Sequence, residues 1–151
     1  MHHDTKLPSK AEDLICFALY SASHALNRAY HPMLKRLGLT YPQYIALTLL
    51  WTEDGQTVGA LSKHMTLDTG TLTPLLKRLE ALGHITRKKG DTDARQVVVT
   101  LTPSGNALRA KAPDITKCII GATGLDLAKL TALVDTVSAL RDNVLNADAD
   151  P

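Results

Sequence analysis

Apolar positions along this chain recur mostly at helical spacing, and short polar or proline-containing stretches separate the runs. Ser9-Lys10-Ala11-Glu12 has the Ser-x-x-Glu form of a capping box, which predicts a first helix from there to about Pro32, a residue that would end or kink it, with Cys16 just beyond its first turn. Thr40-Tyr41-Pro42-Gln43 opens a second helix with proline at or near its first position, and Tyr44 to Trp51 is apolar enough for a buried core helix. A small helix over 58–64, a turn over 65–68 and a further helix with Asp68 as N-cap follow, which is helix-turn-helix arithmetic. On that last helix Leu72, Leu75, Leu76, Leu79 and Leu82 form one buried stripe, turning Thr73, Pro74 and Lys77 outward and leaving Arg78 at the margin. Pro74 is in tension with a helix begun at Thr69. Either the helix starts nearer Thr73, or its first turns carry a distortion of ~3 kcal/mol.

Beyond this helix the runs 85–89 and 95–101 are β-rich and flank the turn-rich Gly90-Asp91-Thr92-Asp93-Ala94, which predicts a hairpin with a basic arm. Thr102-Pro103 reads as N-cap and first-turn proline of another helix, bent or interrupted near Pro113 and carrying Cys118. A last helix, roughly 124–146, has Leu127, Leu130, Val134, Val137, Leu140, Val144 and Leu145 on a wide apolar face. A small domain does not easily cover that much surface, so a helix from a second subunit is expected against it. The fold class expected is mainly α with a small β-hairpin wing. Residues 1–151 form a single domain, with a winged helix-turn-helix over 42–102 and dimerisation helices over 9–36 and 104–147.

Composition narrows the class without naming an activity. The 44% hydrophobic and 21% charged content of 151 residues suits one globular domain. No stretch reaches the roughly eighteen apolar residues of a membrane span, and Met1 to Pro8 lacks the apolar core of a secretion signal, so a cytoplasmic location is expected. Two cysteines far apart provide neither a disulfide framework nor metal-finger spacing. His24, His31, His64 and His84 match no closed metal site, so neither metal nor cofactor is expected. Charge is distributed unevenly: residues 55–102 hold seven cations against four acids, and residues 121–151 two against five. A basic middle with an acidic tail points to an anionic partner for the middle alone.

Duplex DNA fits that middle. A helix enters the major groove, where Thr73, Lys77 or Arg78 can reach base edges, with Pro74 on the same free face. The amides and hydroxyls near Thr69 and Thr71 suit a phosphate at the helix start. Arg95 at the hairpin tip suits the narrow minor groove, and Lys88 and Lys89 suit backbone phosphates.

The stretch from Leu67 to Leu79, then Gly83-His84-Ile85-Thr86-Arg87, Asp93-Ala94-Arg95 and Leu101-Thr102, resembles the MarR family of dimeric winged-helix regulators across nearly the whole chain. Cys16-Phe17-Ala18-Leu19-Tyr20 and Leu39-Thr40-Tyr41-Pro42-Gln43-Tyr44 are similar to its organic-hydroperoxide-sensing (OhrR) branch. The resemblance implies a repressor, not an enzyme, that acts as a homodimer on a pseudo-palindromic operator. It also implies that Asp93 orders the wing tip and presents Arg95 to the minor groove.

Cys16 is then either plain core or a trigger. Free cysteine packs as a small hydrophobe, whereas a sensor needs peroxide access and support for the thiolate, which is the nucleophile. No Lys or Arg lies within a helical turn of Cys16, so hydroxyl donors must supply that support: Tyr20 at i+4, with Tyr30 and Tyr41 brought over by a dimer. The resemblance places tyrosines around the reactive cysteine, while Tyr44 reads as core. Peroxide would oxidise Cys16 to a sulfenic acid, and Cys118 is the resolving cysteine implied by two-cysteine members of the branch. Two readings stay open beside this one: a regulator of small phenolic or apolar ligands with inert cysteines, and a thiol peroxidase. The second lacks both a Cys-x-x-Cys motif and a thioredoxin-like alternation of strands and helices.

Overall fold

In the computed structural model, which describes residues 7–147, Leu14 rather than Ser9 precedes the first long helix, α1 (Ile15–Arg36). The Ser9-x-x-Glu12 box forms no cap. Ala11–Asp13 make a 3-10 turn, Leu14 is extended, and Cys16 becomes the second residue of α1 instead of lying past its first turn. Pro32 does not end α1 either. It removes a single amide, and the helix continues because Leu34 is buried and its end is tied off by glycine. Gly38 (φ +70°) donates to the Lys35 carbonyl and Leu39 to the Leu34 carbonyl, both at 3.0 Å.

Side-chain caps start the next three helices, of which only the one at Asp68 was expected. Thr40 and Gln43 bond reciprocally at the start of α2 (Tyr41–Thr52), which buries Gln43, Tyr44, Ala46, Leu47, Leu50 and Trp51. A two-residue strand, β1 (Gln56–Thr57), leads into α3 (Val58–Met65), whose first turn bonds the Thr57 hydroxyl. The turn after α3 places Thr66 in the left-handed region at φ +54°. Asp68 then caps α4 (Thr69–Ala81).

Of the two alternatives for Pro74, the tolerated distortion holds: α4 starts at Thr69 and carries Pro74 inside it. Leu72, Leu75, Leu76 and Leu79 are buried on its inner face, and at about 1.5–3 kcal/mol per buried leucine they outweigh one missing hydrogen bond. Leu82 departs from the stripe and is 48% exposed. It lies past the last helical residue, where Gly83 (φ +82°) bonds the Glu80 carbonyl and His84 the Leu79 carbonyl, so the chain turns before Leu82 can face inward.

The hairpin pairs β2 (Ile85–Lys89) with β3 (Val97–Leu101) in antiparallel register, Ile85 opposite Leu101 and Lys89 opposite Val97. β3 begins at Val97 and not Arg95, because Arg95 and Gln96 close the tip: the Gln96 amide bonds the Asp93 carbonyl at 3.1 Å. β1 adds a third strand that the sequence reading lacked, giving the order β1-β3-β2. It is held by buried Gln56, whose amide group donates to the Leu49 and Glu53 carbonyls at the end of α2.

Thr102 caps α5 (Pro103–Ala107), and a 3-10 turn, Leu108–Lys111, leads to α6 (Ala112–Thr123) and α7 (Leu127–Ala147). The chain divides into two compact units, one ending at Ala112 and the other beginning at Pro113. In the second unit Gly124 (φ +66°) follows α6, and α7 starts at Leu127, with the Lys129 amide on the Asp126 carboxylate at 2.8 Å. Leu127, Val134, Val144 and Leu145 are exposed, and no residue of α7 is buried. No helix among the described residues is long and apolar enough to cross a membrane. Residues 1–6 and the tail acids Asp148 and Asp150 lie outside the described residues.

Candidate functional site

The caps that begin α3 and α4 aim two helix starts toward the wing. Between them lies a cleft of about 350 Å³ lined by Thr57, Val58, Gly59, Thr69, Thr73, Arg87, Arg95, Gln96 and Val97. Three of the residues singled out from sequence, Thr69, Thr73 and Arg95, therefore share one surface. Thr71, Pro74, Lys77 and Arg78 are exposed on α4, and Lys88 and Lys89 are exposed on β2, outside the lining of the cleft.

Arg87 is the residue sequence reasoning missed. Its amide donates to Glu80 Oε2 at 2.9 Å and its Nη2 to Glu80 Oε1 at 3.2 Å, which ties β2 to α4. Its Nε is buried without a protein partner. The available signal was an acid seven residues before the basic run Arg87-Lys88-Lys89, too far apart for a helical pair and legible only once the turn at Gly83 is known.

Asp93 and Arg95 form the pair that the resemblance implied. Asp93 Oδ1 accepts from the Arg95 amide at 3.0 Å and from Arg95 Nε at 3.2 Å. Asp93 is thus used on the backbone and on the root of the guanidinium, while the Arg95 side chain stays 92% exposed. Gly90 permits the tip, since a Cβ there would lie 2.8 Å from the Asp93 carbonyl oxygen.

The Asp68 carboxylate is held below its ordinary range, chiefly by the Thr71 amide at 2.7 Å. A depressed carboxylate contributes stability that is complete above its unfolded value near 3.8 and is lost as pH falls through the folded value. Acid titration from pH 5 downward is therefore expected to expose the Thr71 amide to hydrogen exchange before the core amides. Asp68→Asn, which caps without ionising, should remove that acid step, and an unchanged step would refute the capping account.

Cys16 and Cys118 are both free and exposed. Within this chain Cys16 is therefore not a packed core residue. It sits in the first turn of α1, where the unpaired amides of a helix start favour a negative charge. Tyr20, one turn on, is 65% exposed and meets His24 edge-on, with ring centroids 4.4 Å apart. Tyr30 and Tyr41 are half-buried and their rings meet at a 48° tilt, 4.8 Å between centroids, and Tyr44, buried as expected, continues the run to Trp51. Burial pushes the Tyr30 hydroxyl up to about 12, with help from Tyr41 and Tyr44, and raises Tyr41 as well. Both phenols therefore keep their protons across the neutral range and remain hydrogen-bond donors.

Comparison with known proteins agrees with this geometry. Residues 28–111, over half the chain, match the family described as "Transcriptional regulator SarA/Rot". The chain is 43% identical over 137 residues to the HTH-type transcriptional regulator TtmR of Methylorubrum extorquens, covering 91% of this chain and 70% of that protein. It is 44% identical over 131 residues to the organic hydroperoxide resistance transcriptional regulator of Bacillus subtilis, covering 85% and 89%. Among solved structures, AbfR of Staphylococcus epidermidis superposes with a TM-score of 0.74 at 28% identity, over 88% of this chain and 90% of that one. AbfR has also been solved reduced and bound to DNA (TM-score 0.70, 30% identity, covering 87% and 91%) and with its disulfide formed (0.58, 31%, covering 88% and 88%).

Proposed function

Because this chain belongs to the SarA/Rot and MarR family of winged-helix transcriptional regulators, we propose that it is a repressor which releases its operator when an organic hydroperoxide oxidises Cys16. The observation that carries this reading is the exposed thiol in the first turn of α1, in a chain 44% identical to a regulator named for organic hydroperoxide resistance.

The DNA-binding part is supported by the shared cleft. In this reading α4 lies in the major groove, presenting Thr71, Thr73, Pro74, Lys77 and Arg78, and Thr69 holds a phosphate at its start. Lys88 and Lys89 contact backbone phosphates, and Arg95, steadied by Asp93, enters the minor groove. Arg95→Ala is expected to weaken operator binding about tenfold and to lower the slope of log affinity against log salt by about 1. Unaltered affinity in an anisotropy titration would remove the wing from the interface.

Residues 9–36 and 104–147 are the dimerisation regions of this proposal, and the unburied apolar positions of α7 are what a second copy covers. A dimer sets two recognition helices on half-sites about 34 Å apart, and that spacing tolerates little rearrangement. The Tyr30–Tyr41 pair of a second copy would join Tyr20 in donating hydroxyls to the Cys16 sulfur.

The chemistry balances on the residues named. The Cys16 thiolate attacks the outer oxygen of the hydroperoxide, the O–O bond breaks, and the alkoxide leaves and takes a proton to become an alcohol. Sulfur is oxidised to sulfenic acid and the peroxide is reduced by two electrons. Attack by the Cys118 thiolate on that sulfur then forms a disulfide and expels hydroxide, which takes a proton to become water; the bridge needs the two Cα atoms within about 7 Å. One such event per site makes a sensor and not a turnover enzyme, acting in the cytoplasm beside the DNA. The test is to titrate the operator-bound protein with an organic hydroperoxide while following anisotropy, and to identify the oxidised residue by mass spectrometry. Release with Cys16 still reduced would sink the proposal.

A further inference from the structure

Cys16, Tyr20 and His24 stand four residues apart in α1, which aligns them along one face of the helix. Side chains on a helix lean toward its N-terminus, so Tyr20 covers the turn that holds Cys16, and His24 covers the turn that holds Tyr20. The second of these placements is a direct contact: the Tyr20 and His24 rings meet edge-on, 4.4 Å between centroids and 77° between planes. Among the described residues His24 is the only ring in contact with Tyr20. Tyr20 is otherwise largely exposed, and a tyrosine in that situation samples several rotamers. A ring packed against its far side removes those that swing away from the helix start.

We infer that His24 is a positioning residue that acts on the Cys16 thiol through Tyr20, by holding the phenol ring so that its hydroxyl leans toward the sulfur. This inference rests on the reading of Cys16 as the reactive thiol, and it adds a group that touches neither the sulfur nor the peroxide. A hydroxyl that donates to the sulfur favours the charged, nucleophilic form, so loosening Tyr20 slows every reaction of that form.

The test is a double-mutant cycle on the reduced full-length protein, with Cys16 followed by peptide mass spectrometry at pH 7. Two rates are measured for each protein: alkylation by iodoacetamide, and oxidation by cumene hydroperoxide. His24→Ala is expected to slow Cys16 alkylation by about three- to tenfold, the range of an edge-on aromatic contact, and His24→Phe to restore it to within about twofold. In a Tyr20→Phe background, where the hydroxyl is already gone, His24→Ala should cost nothing more. Weakening of the helix does not account for this pattern, because alanine is the better helix former. An unchanged rate in His24→Ala overturns the inference, as does an equal loss in the presence and absence of the Tyr20 hydroxyl. The two rates separate this inference from the sensing function. Alkylation that depends on His24 while hydroperoxide leaves Cys16 untouched keeps the positioning role and sinks the sensor. Oxidation that proceeds alike in all variants keeps the sensor and sinks the positioning role.

Discussion

Cys16→Ser is expected to bind operator as tightly as the parent and to lose its response to organic hydroperoxide altogether. Serine is close to isosteric and also accepts hydrogen bonds, and within this chain Cys16 is exposed, so the exchange opens no cavity in the core. What disappears is the nucleophile: a hydroxyl without an activating base does not ionise near neutrality, so no O–O bond is cleaved. Anisotropy of a labelled operator across a hydroperoxide titration reads both affinity and response. Persisting release would show that some other group senses the peroxide. Cys118→Ser separates the second step. A peroxide-treated parent is expected to run as a reducible dimer on a non-reducing gel, through a Cys16–Cys118 bridge between two copies, and Cys118→Ser to lose that band; any release that remains measures what the sulfenic acid does alone.

Gly105→Ala is the substitution with the largest expected effect on stability. A Cβ on Gly105 would lie 2.9 Å from the carbonyl carbon of His84 and 3.2 Å from its Cα, and closer still to its carbonyl oxygen. These are backbone atoms and cannot rotate aside. The same glycine is tied on its other groups: its carbonyl accepts from Trp51 Nε1 at 3.0 Å and its amide bonds the Thr102 hydroxyl at 3.1 Å. Thr102 in turn donates its amide to the His84 carbonyl at 3.0 Å. A methyl group must therefore push α5 away from the start of the wing and stretch the bond to buried Trp51. Overpacking and a lost buried hydrogen bond together cost about 2–4 kcal/mol, more than the ~1 kcal/mol that alanine gains over glycine in a helix. A fall in melting temperature of roughly 10 °C is expected by circular dichroism. Gly121→Ala is the control, since a Cβ there meets nothing within 4 Å. A Gly105→Ala protein that melts with the parent would mean the approach to His84 is looser than described.

Features that reside in a few consecutive residues were readable from sequence. Asp68 and Thr102 cap the helices expected of them, because a cap needs only a short oxygen-bearing side chain and the amides that follow it. The inner leucines of α4 were readable from their helical spacing, whereas the Asp93–Arg95 tie at the wing tip was implied only by the family resemblance. What escaped depends on partners distant in sequence. β1 is two residues long and carries no alternation; it exists because Gln56 reaches back to α2 and its backbone finds β3. Gly105 looks like any helical glycine until His84 lies against it. At Ser9 and Pro32 the local signals were present but overridden, one by the extended Leu14 and the other by packing at Leu34. The site divides the same way. The thiol and the basic residues could be named in advance, whereas the Glu80–Arg87 tie and the Tyr20–His24 contact required the fold.

Trp51 is the single tryptophan of the chain, and its indole is pinned at one end to the Gly105 carbonyl and flanked at the other by Tyr44, Tyr30 and Tyr41 in turn. The molecule therefore carries one built-in fluorophore, connected to the base of the wing on one side and to the half-buried phenols on the other. Its emission offers a label-free optical signal for rearrangement on either side, with no dye attached to the protein surface.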